Sequence, residues 1–163
     1  MKNWLTVVLA GLLLCACSSN EVLISKPATV PAGLDLSGDW VMSGSMGFSQ
    51  PKSRELAVSV FLEMGSSLKV TQTSAGLFFS FDRSIVEEYP FGENREVAVG
   101  AIKASRVSGW EGGAYVIETL DKEGAKLIET WQLQQEGRVL QRTMVIWSGG
   151  DKELALEQNF DRI

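Results

Sequence analysis

The sequence predicts an all-β domain: a single antiparallel meander closed into a barrel of about eight to ten strands. Two observations carry that reading. Runs rich in Val, Ile, Thr, Trp and Phe recur from Leu36 onward. Gly and polar clusters interrupt them roughly every 8–12 residues, the spacing of short strands joined by tight turns. The first run starts at Leu36-Ser37-Gly38-Asp39-Trp40. Leu68 to Gln72 and Leu77 to Phe81 flank Thr73-Ser74-Ala75-Gly76. Ala114 to Leu120 and Ala125 to Gln134 flank Asp121-Lys122-Glu123-Gly124. Val139 to Trp147 follows Gln135-Glu136-Gly137, and Ser148-Gly149-Gly150-Asp151 leads into Glu153 to Phe160.

Two stretches are less regular. In Arg54 to Met64, Leu56, Val58, Val60 and Leu62 alternate as in a strand, while Leu56, Val60 and Glu63 would also suit a helix. Val and Phe content places the stretch with the strands. Arg106 to Gly113 is too Gly-dense for an ordinary strand and is expected to form a bulge or tight turn, or a ligand-contacting loop around Trp110.

Ahead of the domain, Met1-Lys2-Asn3 gives a short positive start, and Trp4 to Leu14 is an uncharged apolar run. That is the anatomy of a secretory signal peptide, and the run is shorter than the roughly 20 residues that cross a bilayer. Leu14, Ala16 and Cys17 resemble the bacterial lipobox, with an apolar residue at −3 and a small one at −1. The resemblance implies cleavage before Cys17 and acylation of its thiol and new amino group, with the membrane contacted through that lipid. Ser18, rather than Asp, follows the cysteine, which implies the outer membrane with the domain facing the periplasm. The expected division is a signal peptide over 1–16, lipidated Cys17 and an extended tether over 17–34, and the barrel over 35–163. Pro27 and Pro31 among small and polar residues support the tether.

Gly38-Asp39-Trp40 resembles the first strand of the calycin group, the lipocalin-like and avidin-like barrels, in which Gly-x-Trp opens the barrel. The resemblance implies a calycin/lipocalin-like fold in which Trp40 plugs one end and a small apolar or amphipathic ligand occupies the interior. The Thr-Asp-Tyr motif of true lipocalins is absent.

Composition removes several chemistries. There is no histidine, so histidine-based triads, zinc sites and acid–base catalysis are excluded. Net charge is −5, with 15 basic and 20 acidic residues, and gives no footing for nucleic acid. No cofactor or metal site is expected, and the protein is read as non-enzymatic. Glu87 and Glu88, as neighbours in a strand, point to opposite faces and are expected in solvent.

Hairpin register offers the candidate ligand site. A turn at Asp121 to Gly124 sets Glu118 opposite Leu127, and pairing across Gly149-Gly150 sets Glu157 opposite Arg142. One face then carries Glu118, Glu129, Arg142 and Glu157 beside Trp131, Leu140 and Met144. Facing inward, Arg142 and the carboxylates, with Trp40 and Trp131, would orient a polar head group in an apolar cavity. Facing outward, they would be cross-strand ion pairs, the reading favoured by the cost of burying so many charges. Two functional classes stay open: a ligand-binding barrel, or a protein-interaction module of the envelope with a closed core.

Overall fold

The computed structural model describes residues 21–48, 65–100 and 102–163. The expected signal peptide, Cys17 and the strand expected within Arg54 to Met64 lie outside them. Among the described residues ten strands follow in order: β1 (Gly38–Phe48), β2 (Ser67–Gln72), β3 (Gly76–Phe81), β4 (Ile85–Pro90), β5 (Glu93–Val99), β6 (Ile102–Glu111), β7 (Ala114–Asp121), β8 (Lys126–Gln134), β9 (Val139–Ser148) and β10 (Asp151–Arg162). All pair antiparallel in one sheet, in the order β4-β3-β2-β1-β10-β9-β8-β7-β6-β5. Pairing of β1 with β10 joins the two ends of the meander and, among the described strands, leaves β4 and β5 as edges. Side chains bridge that seam. The Tyr115 hydroxyl lies 3.2 Å from the Tyr89 carbonyl and 3.3 Å from that of Pro90. Ser108 donates to Pro90 O at 3.2 Å. The sheet is thus a nearly closed barrel of the calycin type, as the turn spacing and Gly-x-Trp predict.

Because the strands alternate in direction, the β3–β4, β5–β6, β7–β8 and β9–β10 turns gather at one end, the mouth. The β2–β3, β4–β5, β6–β7 and β8–β9 connections gather at the other, the floor. Trp40 sits at the floor, 1% exposed. Its register partner on β10 is Arg162, whose guanidinium carbon stands 4.2 Å from the Trp40 ring centroid. Arg162 also donates to Ser37 O at 2.8 Å and Gly137 O at 3.0 Å. A Cβ at position 38 would meet Arg162 Nη1 at 2.8 Å and Trp40 Nε1 at 3.1 Å. A side chain there would have to displace the Arg162 guanidinium from Trp40, which gives the Gly-x-Trp pair its physical reason.

Residues 21–34 do not stand clear as a tether. They form a strap along the outside of the barrel. At the mouth, Lys126 Nζ is 2.7 Å from Glu21 Oε1. Farther down, Lys26 bonds Glu118 at 2.6 Å and Glu111 at 2.8 Å. Near the floor, the Trp110 amide donates to Pro27 O at 2.9 Å. The strap then crosses the floor, where Gln72 Nε2 donates to Leu34 O and Leu36 is fully buried. Proline stops this segment from supplying a regular strand. Its carbonyl still satisfies the β6 edge that β5, whose pairing with β6 begins at Glu93 and Ser108, leaves open.

The same contact explains Arg106 to Gly113, which is not a bulge. Residues up to Glu111 belong to β6, and Gly112-Gly113 form the turn. Gly109 is there because a Cβ would lie 2.4 Å from Pro27 O. Trp110, 3% exposed, is part of the core rather than a surface loop.

Candidate ligand-binding interior

The barrel interior is layered from floor to mouth. Leu36, Trp40, Leu77, Phe79, Trp110, Tyr115, Trp131, Leu140 and Phe160 form one buried cluster toward the floor. Phe79 stacks on Trp131 at 4.5 Å between centroids, and Phe160 lies 6.1 Å from Trp131. Aromatic rings of this size fill the space between facing strands, so the floor half is packed with side chains.

Above the rings lies a polar layer. Arg142 on β9 faces Trp131 on β8 and Gln158 on β10 in register. Its Nε donates to Glu129 Oε1 at 2.9 Å and its Nη1 to Gln158 Oε1 at 3.1 Å. Trp131 Nε1 donates to the same Glu129 oxygen at 2.7 Å. The guanidinium also lies over the Trp131 and Phe81 rings, at 5.1 and 5.4 Å. Arg142, Glu129 and Gln158 are all nearly inaccessible, at 1%, 3% and 2%. Charge balance and directed hydrogen bonds are what make this burial tolerable.

Across the interior, Glu87 on β4 shares the inward face with Phe79, its register partner. Burial and the negative charge of Glu129 hold its carboxyl above the ordinary glutamate range, against a hydrogen bond from the Tyr89 hydroxyl. Near the seam, Glu93, 5% exposed, accepts from Arg106 at 2.7 and 2.9 Å and from Ser108 at 3.0 Å. Toward the mouth the lining turns apolar again, with Met144, Ile146 and half-buried Leu127 and Leu156.

The candidate residues therefore separate. Glu129, Trp131 and Arg142 meet in the interior, and Trp40 sits below them at the floor. Glu118 does not join them. The β7–β8 connection pairs Leu120 with Lys126, so Leu127 faces Thr119 and Glu129 faces Ile117. The loop holds one residue more than the expected turn, and every β7 side chain changes face. Glu118 instead lies outside, bonding Lys26 at 2.6 Å and Lys126 at 3.0 Å. These two lysines outweigh its partial burial and hold its carboxyl below the usual range. Glu157 also leaves the interior. A β-bulge between Lys152 and Leu154 sets Gln158 opposite Arg142 and Glu157 opposite Thr143. The outward reading of the charged face is thus right for Glu118 and Glu157 and wrong for Glu129 and Arg142. Of the expected solvated pair, Glu88 is exposed and Glu87 faces inward.

Sequence reasoning missed Gln158, Glu87 and Arg162. A bulge hid the first. Alternation within β4 could have placed the second once the face of Tyr89 was known. The third depends on a contact between strands at opposite ends of the meander.

Outside the barrel, a groove of about 590 Å³ is lined by Ser43, Gln134, Gln141, Asn159 and Asp161 among others. A second, of about 610 Å³, lies at the mouth between Glu21 and the turns that include Asp121 to Gly124 and Gly149-Gly150. Among the described residues no cluster of acidic and cysteine side chains could hold a metal ion.

Solved structures share this barrel architecture. A structure titled REP1-NXSQ fatty acid transporter superposes with a TM-score of 0.55 at 10% identity, over 78% of this chain and 96% of its own. The fatty-acid-binding protein 1 of Echinococcus granulosus gives 0.54 at 16% identity, over 78% and 96%. Zebrafish ileal bile acid-binding protein complexed with cholic acid gives 0.52 at 14%, over 78% and 98%. At these identities the likeness is one of fold. No protein-family model and no curated protein matches the chain by sequence.

Proposed function

We propose that this protein binds a small apolar or amphipathic ligand inside the barrel, and does so without catalysing a reaction. It is held at the outer membrane through lipid on Cys17, with the barrel in the periplasm. The observation that carries the binding reading is the inward polar layer of Arg142, Glu129 and Gln158 between a packed aromatic floor and an apolar mouth. Such a layer can orient one polar end of a molecule whose apolar remainder lies toward Met144, Ile146 and Leu156. Because Glu129 balances Arg142 at 2.9 Å, the layer is best suited to a hydrogen-bonding head group rather than one needing a full counter-charge. Three structures that share the fold are titled for a fatty acid transporter, a fatty-acid-binding protein and a bile acid-binding protein, which supports the ligand class.

Two measurements test it. Native mass spectrometry of protein purified from its source should show a bound lipid-sized mass. Titration with an anthroyloxy-labelled fatty acid should give saturable binding with energy transfer from Trp131. Absence of both would move the assignment to an interaction module with a closed core, which the filled floor half of the barrel favours. For the anchor, Cys17→Ala should abolish fatty-acid labelling and membrane association; unchanged association would refute it.

A further inference from the structure

We infer that the strap turns the barrel so that its mouth rests on the membrane, making the mouth rim a lipid-contacting surface. The inference rests on acylation of Cys17, and two independent observations give it direction. The first is where Glu21 is held. Glu21 is fixed to Lys126, beside the β7–β8 turn of the mouth, at 2.7 Å. It belongs to a run of alternating charges, Glu21–Lys126–Glu118–Lys26–Glu111, whose links measure 2.6 to 3.0 Å. Pro27 is tied to the far end of the same path by the Trp110 amide. Only Ser18, Ser19 and Asn20 separate Glu21 from Cys17, a reach of roughly 14 Å when fully extended. The ten residues of β9 span about 33 Å. An anchor on so short a leash can bring the mouth to the bilayer, but not the floor.

The second observation is the placement of exposed apolar side chains. Ile85 and Val86 open β4 just after the β3–β4 turn, Ile102 starts β6, and Trp147 is the penultimate residue of β9. They are 40%, 64%, 39% and 39% exposed. Val22, 79% exposed, lies next to Glu21, and Met46, 58% exposed, lies on the mouthward half of β1. Val41 and Ile163 are the exposed large apolar residues off this arc among the described residues, apart from Ile24 on the strap itself. Branched aliphatic residues with a tryptophan form the kind of rim that settles at a membrane–water interface, where an indole keeps its N–H in the wet zone. A ligand of the proposed class would then pass between bilayer and interior without crossing bulk water.

The test uses the full chain as the cell produces it, reconstituted into phosphatidylethanolamine/phosphatidylglycerol vesicles with brominated acyl chains. Intact mass first reports whether Cys17 carries acyl groups. If it does not, both the anchor reading and this inference fall. In the acylated protein three of the four tryptophans beyond Cys17 are buried, at 1%, 3% and 0%, so bromine quenching reads Trp147. The expected result is strong quenching that W147F removes. A second variant, R138W in the W147F background, puts a reporter on the floor side and should stay unquenched. Acylated protein with no Trp147 quenching, or with quenching of the floor-side reporter in R138W/W147F, would overturn the orientation and leave the anchor standing.

Discussion

Removing one member of the Arg142–Glu129 pair should cost far more than removing both. The two side chains are 1% and 4% exposed and their charged atoms lie 2.9 Å apart. With an effective dielectric of about 20, unit charges about 4 Å apart attract by roughly 4 kcal/mol. Deleting one partner also strands the other where solvent hardly reaches, and measured losses for such changes are about 3–5 kcal/mol. In R142M, Glu129 would keep only the Trp131 Nε1 donor at 2.7 Å among the hydrogen bonds described for it. In E129L, Trp131 and Arg142 would both lose that oxygen. A loss of about 4 kcal/mol is a large part of the 5–15 kcal/mol that holds a domain together, and corresponds to a Tm lower by roughly 10–15 °C. The double variant E129L/R142M replaces both with apolar side chains and should lie within about 1 kcal/mol of wild type. Urea and thermal melts of the four proteins close the cycle. Additive losses, or single variants within about 1 kcal/mol of wild type, would refute the view that this buried pair is held by mutual neutralisation.

Two further outcomes follow from the same physics. Glu87 has a carboxyl raised by burial and by Glu129, so folding favours its protonated form. Its contribution is complete below the ordinary glutamate pKa and is lost as pH rises through the raised value. Glu87→Gln should therefore match wild type in melts near pH 4 and exceed it near pH 7; equal Tm at both pH values would contradict this. Gly109→Ala places a methyl 2.4 Å from Pro27 O and should lift the strap. Limited proteolysis of residues 21–28 should then accelerate at least tenfold while the barrel still melts cooperatively, and unchanged protection would show that the close approach is not what seats the strap.

Much of the fold was legible because turn chemistry is local. Thr73 to Gly76, Gly112-Gly113 and Gly149-Gly150 mark chain reversals without reference to anything distant. Which residues face inward was less legible, because that depends on loop length and bulges. One extra residue in the β7–β8 loop moved Glu118 to the outside, and the irregularity between Lys152 and Leu154 moved Gln158 into the place expected of Glu157. The strap was illegible for a different reason. Pro27 and Pro31 look the same in a free linker and in a segment docked by Lys26, Glu111 and Glu118. What distinguishes the two is a set of partners more than 80 positions away in the chain. The signal that could have been noticed is Gly109, whose missing side chain inside a good strand sequence marks a close approach by another backbone.

The clasp between Trp40 and Arg162 also sets the timetable of assembly. β1 can pair with β2 early, but its other neighbour is β10, made last in the meander. Until then the ring cannot close, Trp40 lacks the cation that lies over it, and the aromatic floor has a missing wall. A chain emerging from its N-terminus must therefore hold an open, sticky sheet in waiting, and non-local closure of this kind slows folding. For such a protein, shielding the first strands until β10 arrives would matter more than speeding any single hairpin.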